Sequence, residues 1–176
     1  FSYNGSPYLF NGMVDAKTMM VIPQDPNAGG SIPVIRSDDQ NAGVEFTYSV
    51  WMFIDDLVYQ QGQYKHVFHK GNDDINFSTS PIGLYIAPNT NALVVVMNTF
   101  NDIQEEVTIE DIPINKWVCV QIRVQNHQLD VYINGKLAKR LIMKGVPKQN
   151  YGDVYVAMNG GFSGYMSELR YFNYGL

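Results

Sequence analysis

The sequence predicts an all-β fold in which two antiparallel sheets pack as a sandwich. Three observations support this prediction. About a dozen short segments show strand-like alternation, and turn-forming residues separate them. No segment shows a sustained period of 3.6 residues, which an amphipathic helix would need. The clearest pattern, in residues 116–143, is that of three consecutive strands joined by short turns.

Residues 116–143 predict an antiparallel meander. The first strand places apolar side chains on one face at every second position, namely Val118, Val120, Ile122 and Val124. Its opposite face carries Cys119, Gln121, Arg123 and Gln125. The pattern restarts at Leu129 after a short turn. Asn134 and Gly135 then supply two residues that tolerate positive φ, as a type I′ hairpin requires.

The rest of the chain is also predicted to consist of strands and loops. Residues 1–18 are predicted to form an irregular lead-in, followed by short strands at 19–22 and 32–36. Residues 45–54 predict a long strand that is apolar on both faces in its second half, as expected in the middle of a packed sheet. The other predicted strands are 65–70, 82–87, 93–99, 105–109, 154–158 and 164–171.

Length, charge and cysteine content narrow the class of protein. A chain of 176 residues suits one domain, with residues 1–44 as a lead-in whose two short strands join the sandwich and residues 45–176 as its core. The net charge of −5 argues against nucleic-acid binding. No apolar run reaches the length of a membrane span, so we expect no membrane insertion in this segment. A single cysteine, Cys119, excludes a disulfide framework and a cysteine-based zinc site within the chain.

Five motifs follow one another in an order that is found in a known family. They are FTYSVWM (46–52), HVFHKG (66–71) with GLYI (83–86), INKWV (114–118), LDVYINGK (129–136) and GFSGYMSELRYF (161–172). Over about residues 45–174 the chain thereby resembles the laminin G-like jelly-roll branch of the concanavalin A-like lectin/glucanase superfamily. The resemblance implies a two-sheet jelly roll with one concave sheet, and ligands at the concave face or at the loop rim.

A narrower resemblance lies near the C-terminus. Residues 145–156, followed by Asn159-Gly160-Gly161-Phe162, resemble virion-associated proteins of nucleocytoplasmic large DNA viruses. This resemblance implies a location on a virion or another extracellular surface. It also implies partners among glycans, glycoproteins or other virion and capsid proteins.

The acidic and histidine residues do not form the pattern of an enzyme site. Retaining glucanases of the superfamily carry a Glu-x-Asp-x-x-Glu run on one strand, and the chain has none. Glu105 and Glu106 are adjacent, so their side chains are expected on opposite faces of a strand. His66 and His69, at an odd spacing, are likewise expected on opposite faces and would not easily share a metal. We therefore expect a non-enzymatic protein without catalytic residues.

Calcium is the cofactor to consider, because many laminin G-like domains and lectins bind it at the rim. Calcium takes about six to eight oxygen ligands. Asp73 and Asp74 form the best local cluster, and Asp102 lies in a second loop that could approach them. The family's closing motif usually carries an acid before the residue equivalent to Glu168, but Ser167 stands there, which weakens the case for a site at that position.

A carbohydrate site needs an aromatic platform for the apolar face of a pyranose and polar groups for its hydroxyls. The loops provide both kinds of residue. The candidates are Tyr59, Tyr64, Asn89, Asn91, Tyr151 and Asn159. Trp51 and Trp117 lie between apolar residues of predicted strands and are expected in the core, not in a platform.

Three functions remain open from the sequence. The first is a non-enzymatic carbohydrate-binding or adhesion module that uses its rim loops. The second is a structural, capsid-associated subunit without a glycan ligand, which a long exposed apolar patch would favour. The third and weakest is a glycoside hydrolase, which would need two carboxylates facing one cleft.

Overall fold

The chain folds into twelve strands within residues 5–34, 44–73, 82–100, 103–148 and 152–176, which the computed structural model describes. One 3₁₀ turn, Met158–Gly160, precedes the last strand. The strands are β1 (Tyr8–Asp15), β2 (Met20–Ile22), β3 (Glu45–Asp56), β4 (Lys65–Gly71), β5 (Ile82–Ile86), β6 (Leu93–Thr99), β7 (Ile103–Ile109), β8 (Trp117–Gln125), β9 (Gln128–Ile133), β10 (Lys136–Ile142), β11 (Asp153–Val156) and β12 (Ser163–Phe172).

These strands form two sheets of six strands each, and every neighbouring pair runs antiparallel. The front sheet has the order β1-β12-β3-β8-β9-β10, and the back sheet has the order β2-β11-β4-β5-β6-β7. The predicted two-sheet antiparallel sandwich is therefore confirmed. The predicted meander is also confirmed, since β8, β9 and β10 are consecutive neighbours in the front sheet.

The apolar core lies between the two sheets and follows the alternation of the sequence. From the front sheet it receives the alternate residues of β3 and β8, namely Phe46, Tyr48, Val50, Met52, Ile54, Val118, Val120, Ile122 and Val124. The back sheet contributes Phe68, Leu84 and Val95, among others. The rings of Tyr48 and Phe68 meet across the interface at 5.2 Å between centroids. Burial of this apolar surface holds the sheets together.

The central strands of the back sheet are buried on both faces. Every residue of β4, β5 and β6 is buried. Tyr85, Val94 and Val96 form a second, smaller apolar cluster, separate from the core between the sheets. Gly83 makes room for the Tyr85 ring, because a Cβ at Gly83 would lie 2.7 Å from ring atom Cε2.

Two predictions for the N-terminal segment are wrong. Residues 1–18 were expected to be irregular, but β1 lies within them and pairs with β12. Two register shifts and the positive φ of Gly12 (91°) interrupt the alternation of β1, which hides the strand in the sequence. The strand predicted at 32–36 is absent at residues 32–34, while residues 35 and 36 lie outside the described ranges. In this segment the Gln24 side chain takes the place of a neighbouring strand. It donates a hydrogen bond to the carbonyl of Ile32 and accepts one from the backbone N–H of Val34.

Other local predictions are confirmed. The strand expected at 19–22 is β2, and the turn between β9 and β10 has positive φ at both Asn134 (52°) and Gly135 (83°). The Asn134 side chain also accepts a hydrogen bond of 2.9 Å from the backbone N–H of Cys119. The hairpin is therefore fastened to the neighbouring strand β8.

The expectation that His66 and His69 point to opposite faces is wrong. A register shift between His66 and Phe68 adds one residue to β4, so both histidine rings emerge on the same face. Nε2 of His66 lies 2.6 Å from Nδ1 of His69. The backbone N–H of Met158 donates to Nδ1 of His66 (2.9 Å), so the proton of the neutral His66 ring sits on Nε2 and is donated to His69. Nε2 of His69 in turn donates to the carbonyl of Asn72 (2.7 Å).

Candidate binding face

The outward face of the front sheet carries a row of aromatic rings across three neighbouring strands. Trp117 of β8 lies opposite Phe53 of β3, and Phe53 lies opposite Tyr165 of β12. The ring centroids are 5.6 Å apart in the first pair and 6.2 Å apart in the second. These distances are typical of favourable aromatic pairs. Trp117 and Tyr165 still remain 39% and 41% exposed, so the row presents ring surface to solvent.

A depression opens beside this row. Trp51 of β3 pairs with Cys119 of β8 on one side and with Ser167 of β12 on the other. Trp51, Trp117, Ser167 and Glu168 line an open depression of about 390 Å³, here called the aromatic depression. Two indole rings, a hydroxyl and a carboxyl group thus meet at one place on the sheet.

The expectation that Trp51 and Trp117 belong to the core is wrong. Trp51 is 38% exposed, and both indoles lie on the face opposite the buried Val50 and Val118. The alternation of β8 already contained the signal, because Trp117 has the same parity as the polar Gln121. A tryptophan that falls on the polar face of a strand is a better candidate for a platform than for the core.

Glu168 faces outward because β12 contains a bulge. Ser167 pairs with Trp51 and Arg170 pairs with Ser49, so β12 uses one residue more than β3 over this interval. Ser167 and Glu168 therefore both line the aromatic depression, although adjacent residues of a regular strand point to opposite faces. Glu168 itself has a positive φ of 54°. No sequence pattern indicated the bulge.

Cys119, which pairs with Trp51, is half-buried at this face. Its Sγ lies 3.9 Å from Oγ of Ser49. Burial raises the pKa of the thiol and the negative charge of Glu168 raises it further, while the Ser49 contact acts in the opposite direction. The shift keeps the thiol protonated near neutral pH, where only the thiolate is a good nucleophile.

A second depression lies farther along the same face. It measures about 200 Å³, is here called the polar depression, and is lined by Thr47, Gln121, Arg123, Tyr132, Gly135 and Leu176. Arg123 donates 2.7 Å to the carbonyl of Leu176 and pairs with the buried Asp130 at 3.1 Å. Arg140 also pairs with Asp130, at 2.8 Å.

The Asp130 carboxylate accepts hydrogen bonds from the guanidinium groups of Arg123 and Arg140. Burial alone would raise the pKa of Asp130, but hydrogen bonds from Arg140 and Gln128 and the charges of both arginines lower it. One carboxylate thus offsets only one of the two arginine charges. The other end of the face carries the negative charge of Glu168 instead.

The structure brings two of the predicted rim residues together. The Tyr59 hydroxyl donates to the carbonyl of Gly160 (2.9 Å), and the Gln60 amide donates to the carbonyl of Asn159. Nζ of Lys17 lies 4.6 Å from the centre of the Tyr59 ring. These contacts join two loops of the rim and occupy the Tyr59 hydroxyl.

Of the remaining rim candidates, the described ones lie in the loop before β4 or in the turn between β5 and β6. Tyr64 is 40% exposed and packs edge-on against Tyr85. Asn89 is exposed at the turn after β5, whereas the half-buried Asn91 donates its amide to the carbonyl of Ile112 (3.0 Å). Tyr151 lies outside the described residues.

The calcium prediction rests mainly on residues that the structure does not describe. Asp74 and Asp102 lie outside the described ranges, while Asp73 is exposed just beyond the end of β4. Among the described residues, no group of three or more His, Cys, Asp or Glu side chains is close enough to hold a metal ion. Calcium binding stays a prediction.

The fold is a jelly-roll sandwich with two depressions on the outward face of the front sheet. The chain belongs to the concanavalin A-like lectin/glucanases superfamily, since the family model Laminin_G_3 of that description matches residues 27–176. No curated protein sequence shows significant similarity to the chain.

Solved structures with the same fold include receptor binding domains of botulinum neurotoxins. The receptor binding domain of botulinum neurotoxin D is 12% identical, with a TM-score of 0.65. The match covers 93% of this chain and 40% of that one. The binding domain of botulinum neurotoxin serotype G is 14% identical, with a TM-score of 0.61. The match covers 94% of this chain and 44% of that one. The receptor binding domain of the botulinum neurotoxin C/D mosaic serotype is 15% identical, with a TM-score of 0.59. The match covers 76% of this chain and 34% of that one. This chain thus spans less than half of each of these structures.

Over the described part of the chain, no helix has the length and apolar character that a membrane crossing requires.

Proposed function

We propose that the chain is a non-enzymatic carbohydrate-binding or adhesion module whose ligand lies on the outward face of the front sheet. The aromatic depression carries this proposal, because it exposes two indole rings beside a hydroxyl and a carboxyl group. The apolar face of a pyranose packs on aromatic rings, and its hydroxyls hydrogen-bond to polar groups at the edge. The neighbours named above are receptor binding domains, which supports a binding role.

The two depressions suit an extended ligand. Both include outward residues of β8, where Trp117 and Arg123 stand six residues apart, or about 20 Å along the strand. Gln121 and Thr47 offer hydrogen-bonding groups in the polar depression. We infer that the ligand is a chain of several sugar rings. The apolar face of one ring stacks on the indoles, and the hydroxyls of another ring reach the polar depression.

The composition of the aromatic depression supports a non-enzymatic role. Hydrolysis of a glycosidic bond generally needs two carboxyl groups, about 5–5.5 Å apart in retaining enzymes. Among the described residues that line the depression, Glu168 alone carries a carboxyl group. The thiol of Cys119, with its raised pKa, is also unsuited to nucleophilic attack near neutral pH.

We further propose that the module acts on a virion or another extracellular surface, with glycans, glycoproteins or other virion proteins as partners. The support is the resemblance of residues 145–156 to virion-associated proteins. A calcium ion held by Asp73 and Asp74 of one loop and by Asp102 of a second loop belongs to the same proposal.

A glycan array probed with the isolated protein, once with calcium and once with a chelator, tests the proposal. We expect saturable binding to one class of glycan. Loss of binding in chelator would support the calcium site and lead to Asp73→Ala. Absence of binding by the folded protein at high concentration would contradict the carbohydrate-binding role and leave the structural subunit as the better hypothesis.

The variants Trp51→Ala and Trp117→Ala locate the site. Each removes one indole from the depression, and we expect a loss of about 2 kcal/mol, or roughly 30-fold in Kd. Phe100→Ala is the matched control, since Phe100 is 57% exposed but does not line the depression. Binding by isothermal calorimetry that is equal in all three variants would place the ligand elsewhere.

A further inference from the structure

We propose that the aromatic depression selects glycans that carry a free, protonated amino group, with Glu168 and the two indoles as the ammonium site. This inference rests on the proposed carbohydrate-binding function and names the class of sugar, an amino sugar without an acetyl group on its nitrogen.

The carboxyl group reaches the depression only because of the bulge in β12. Without the extra residue, one of the two adjacent residues Ser167 and Glu168 would point into the sandwich. With it, both line the depression beside Trp51. Bulges commonly re-aim a side chain in this way.

The backbone at Glu168 is held in a costly conformation. Its φ of 54° lies in the left-handed region, where glycine is the favoured residue. A conformation of this kind persists when the surrounding structure imposes it, and it is often found at functional sites. A glutamate here gives the depression a carboxyl group that glycine would not provide.

No described cation neutralises this carboxyl group. The ion pairs of the described residues join Asp130 to Arg123 and to Arg140, in or beside the polar depression. Arg170, two residues beyond Glu168, is engaged elsewhere, since its Nε donates to the carbonyl of Ser6 (3.1 Å) and its guanidinium lies 4.5 Å from the centre of the Tyr8 ring. The negative charge of Glu168 therefore remains available to a ligand.

An exposed carboxylate beside two indoles favours a cation. Indole faces attract ammonium groups through their quadrupole, and a carboxylate adds a charge-assisted hydrogen bond. A neutral sugar would use the rings alone, and an acidic sugar would be repelled by Glu168. A protonated amino sugar uses both the rings and the charge.

Calorimetry with oligomers of glucosamine and of N-acetylglucosamine, matched in length, tests the inference. We expect wild-type protein to bind the glucosamine oligomer about tenfold more tightly, and added salt to reduce this preference. Glu168→Gln should remove the preference while retaining the weaker binding of the acetylated oligomer. Trp51→Ala should weaken the binding of both. Glu168→Gly, which suits the backbone angle, provides a second variant without the charge should the glutamine variant unfold.

The outcomes separate this inference from the proposed function. Equal affinity for the two oligomers, with Trp51→Ala weakening both, would overturn the amino-sugar preference and leave the carbohydrate-binding function intact. A preference that survives in Glu168→Gln would also overturn it. No binding of any glycan, with Glu168-dependent binding of a lysine-rich peptide, would overturn both proposals in favour of a protein ligand.

Discussion

Glu168 combines a backbone angle that disfavours most residues with a side chain that faces the aromatic depression. Trp51 and Trp117 show a similar conflict, because large apolar side chains are kept partly in contact with water. The backbone angle at Glu168 lowers the stability of the isolated fold relative to a glycine at the same place, and the exposed parts of the two indoles are apolar surface that the fold leaves unburied. Such local costs at one patch are consistent with a binding role.

At the scale of this residue, we predict that Glu168→Gly increases stability. Glycine adopts positive φ without the steric cost that an L side chain meets, and its greater freedom in the unfolded chain offsets part of that gain. The expected net gain in the free energy of unfolding is up to about 1 kcal/mol by urea denaturation. Ser167→Gly, at a neighbouring residue without positive φ, is the control and should be destabilising. Equal losses in both variants would show that the angle at Glu168 carries no strain.

At the scale of the single element, the bulge in β4 places the buried rings of His66 and His69 beside each other. Burial, followed by the charge of His69, lowers the pKa of His66 to about 3. The unfolded chain takes up a proton near pH 6.5, which the folded state resists. The contribution of His66 to stability is therefore present above pH 6.5 and is lost as the pH falls from about 6.5 toward 3.

We accordingly predict that this group lowers the free energy of unfolding by about 3 kcal/mol between pH 8 and pH 4. Thermal melts between pH 8 and pH 4 measure the slope. His66→Asn should be less stable at pH 8 but should lose less stability on acidification. His127→Gln, at an exposed turn, should leave the slope as in the wild type. A slope that is unchanged in His66→Asn would contradict the prediction.

The hairpin between β9 and β10 depends on its turn. Gly135 has a φ of 83°, so Gly135→Ala should cost about 1 kcal/mol of unfolding free energy through backbone strain. Gly29→Ala is a matched control, because a Cβ there meets nothing within 4 Å and its φ lies outside the left-handed region. Chemical denaturation should separate the two variants. The same change in both variants would mean that the turn angle at Gly135 carries no cost of its own.

At the scale of the whole molecule, the N-terminal strands belong to both sheets. β1 extends the front sheet and β2 extends the back sheet, and Leu9 of β1 is 2% exposed in the core. Leu9→Ala should therefore lower the free energy of unfolding by about 2–5 kcal/mol. Met13→Ala, on the same strand but 65% exposed, should change it by less than about 0.5 kcal/mol. A mild effect of Leu9→Ala would support the view of residues 1–44 as a loosely attached lead-in.

The sequence by itself determined the sandwich, because the period of two in β3 and β8 assigns each side chain to a face. It also determined the turn at Asn134 and Gly135, whose preference for positive φ is local. It predicted a carbohydrate site among loop residues, which stays a prediction, and it did not point to the outward face of the front sheet. The indoles of Trp51 and Trp117 were read as core because their neighbours in the chain are apolar, although their parity placed them on the other face.

Only the tertiary structure decided where the period breaks. The extra residues in β4 and β12 bring His66 beside His69 and Glu168 beside Trp51. A bulge depends on the register with the partner strand, and that register is set by contacts between residues far apart in the sequence. For this reason the alternation of single strands predicts the core of this protein, whereas the candidate binding face becomes visible only when the strands are paired.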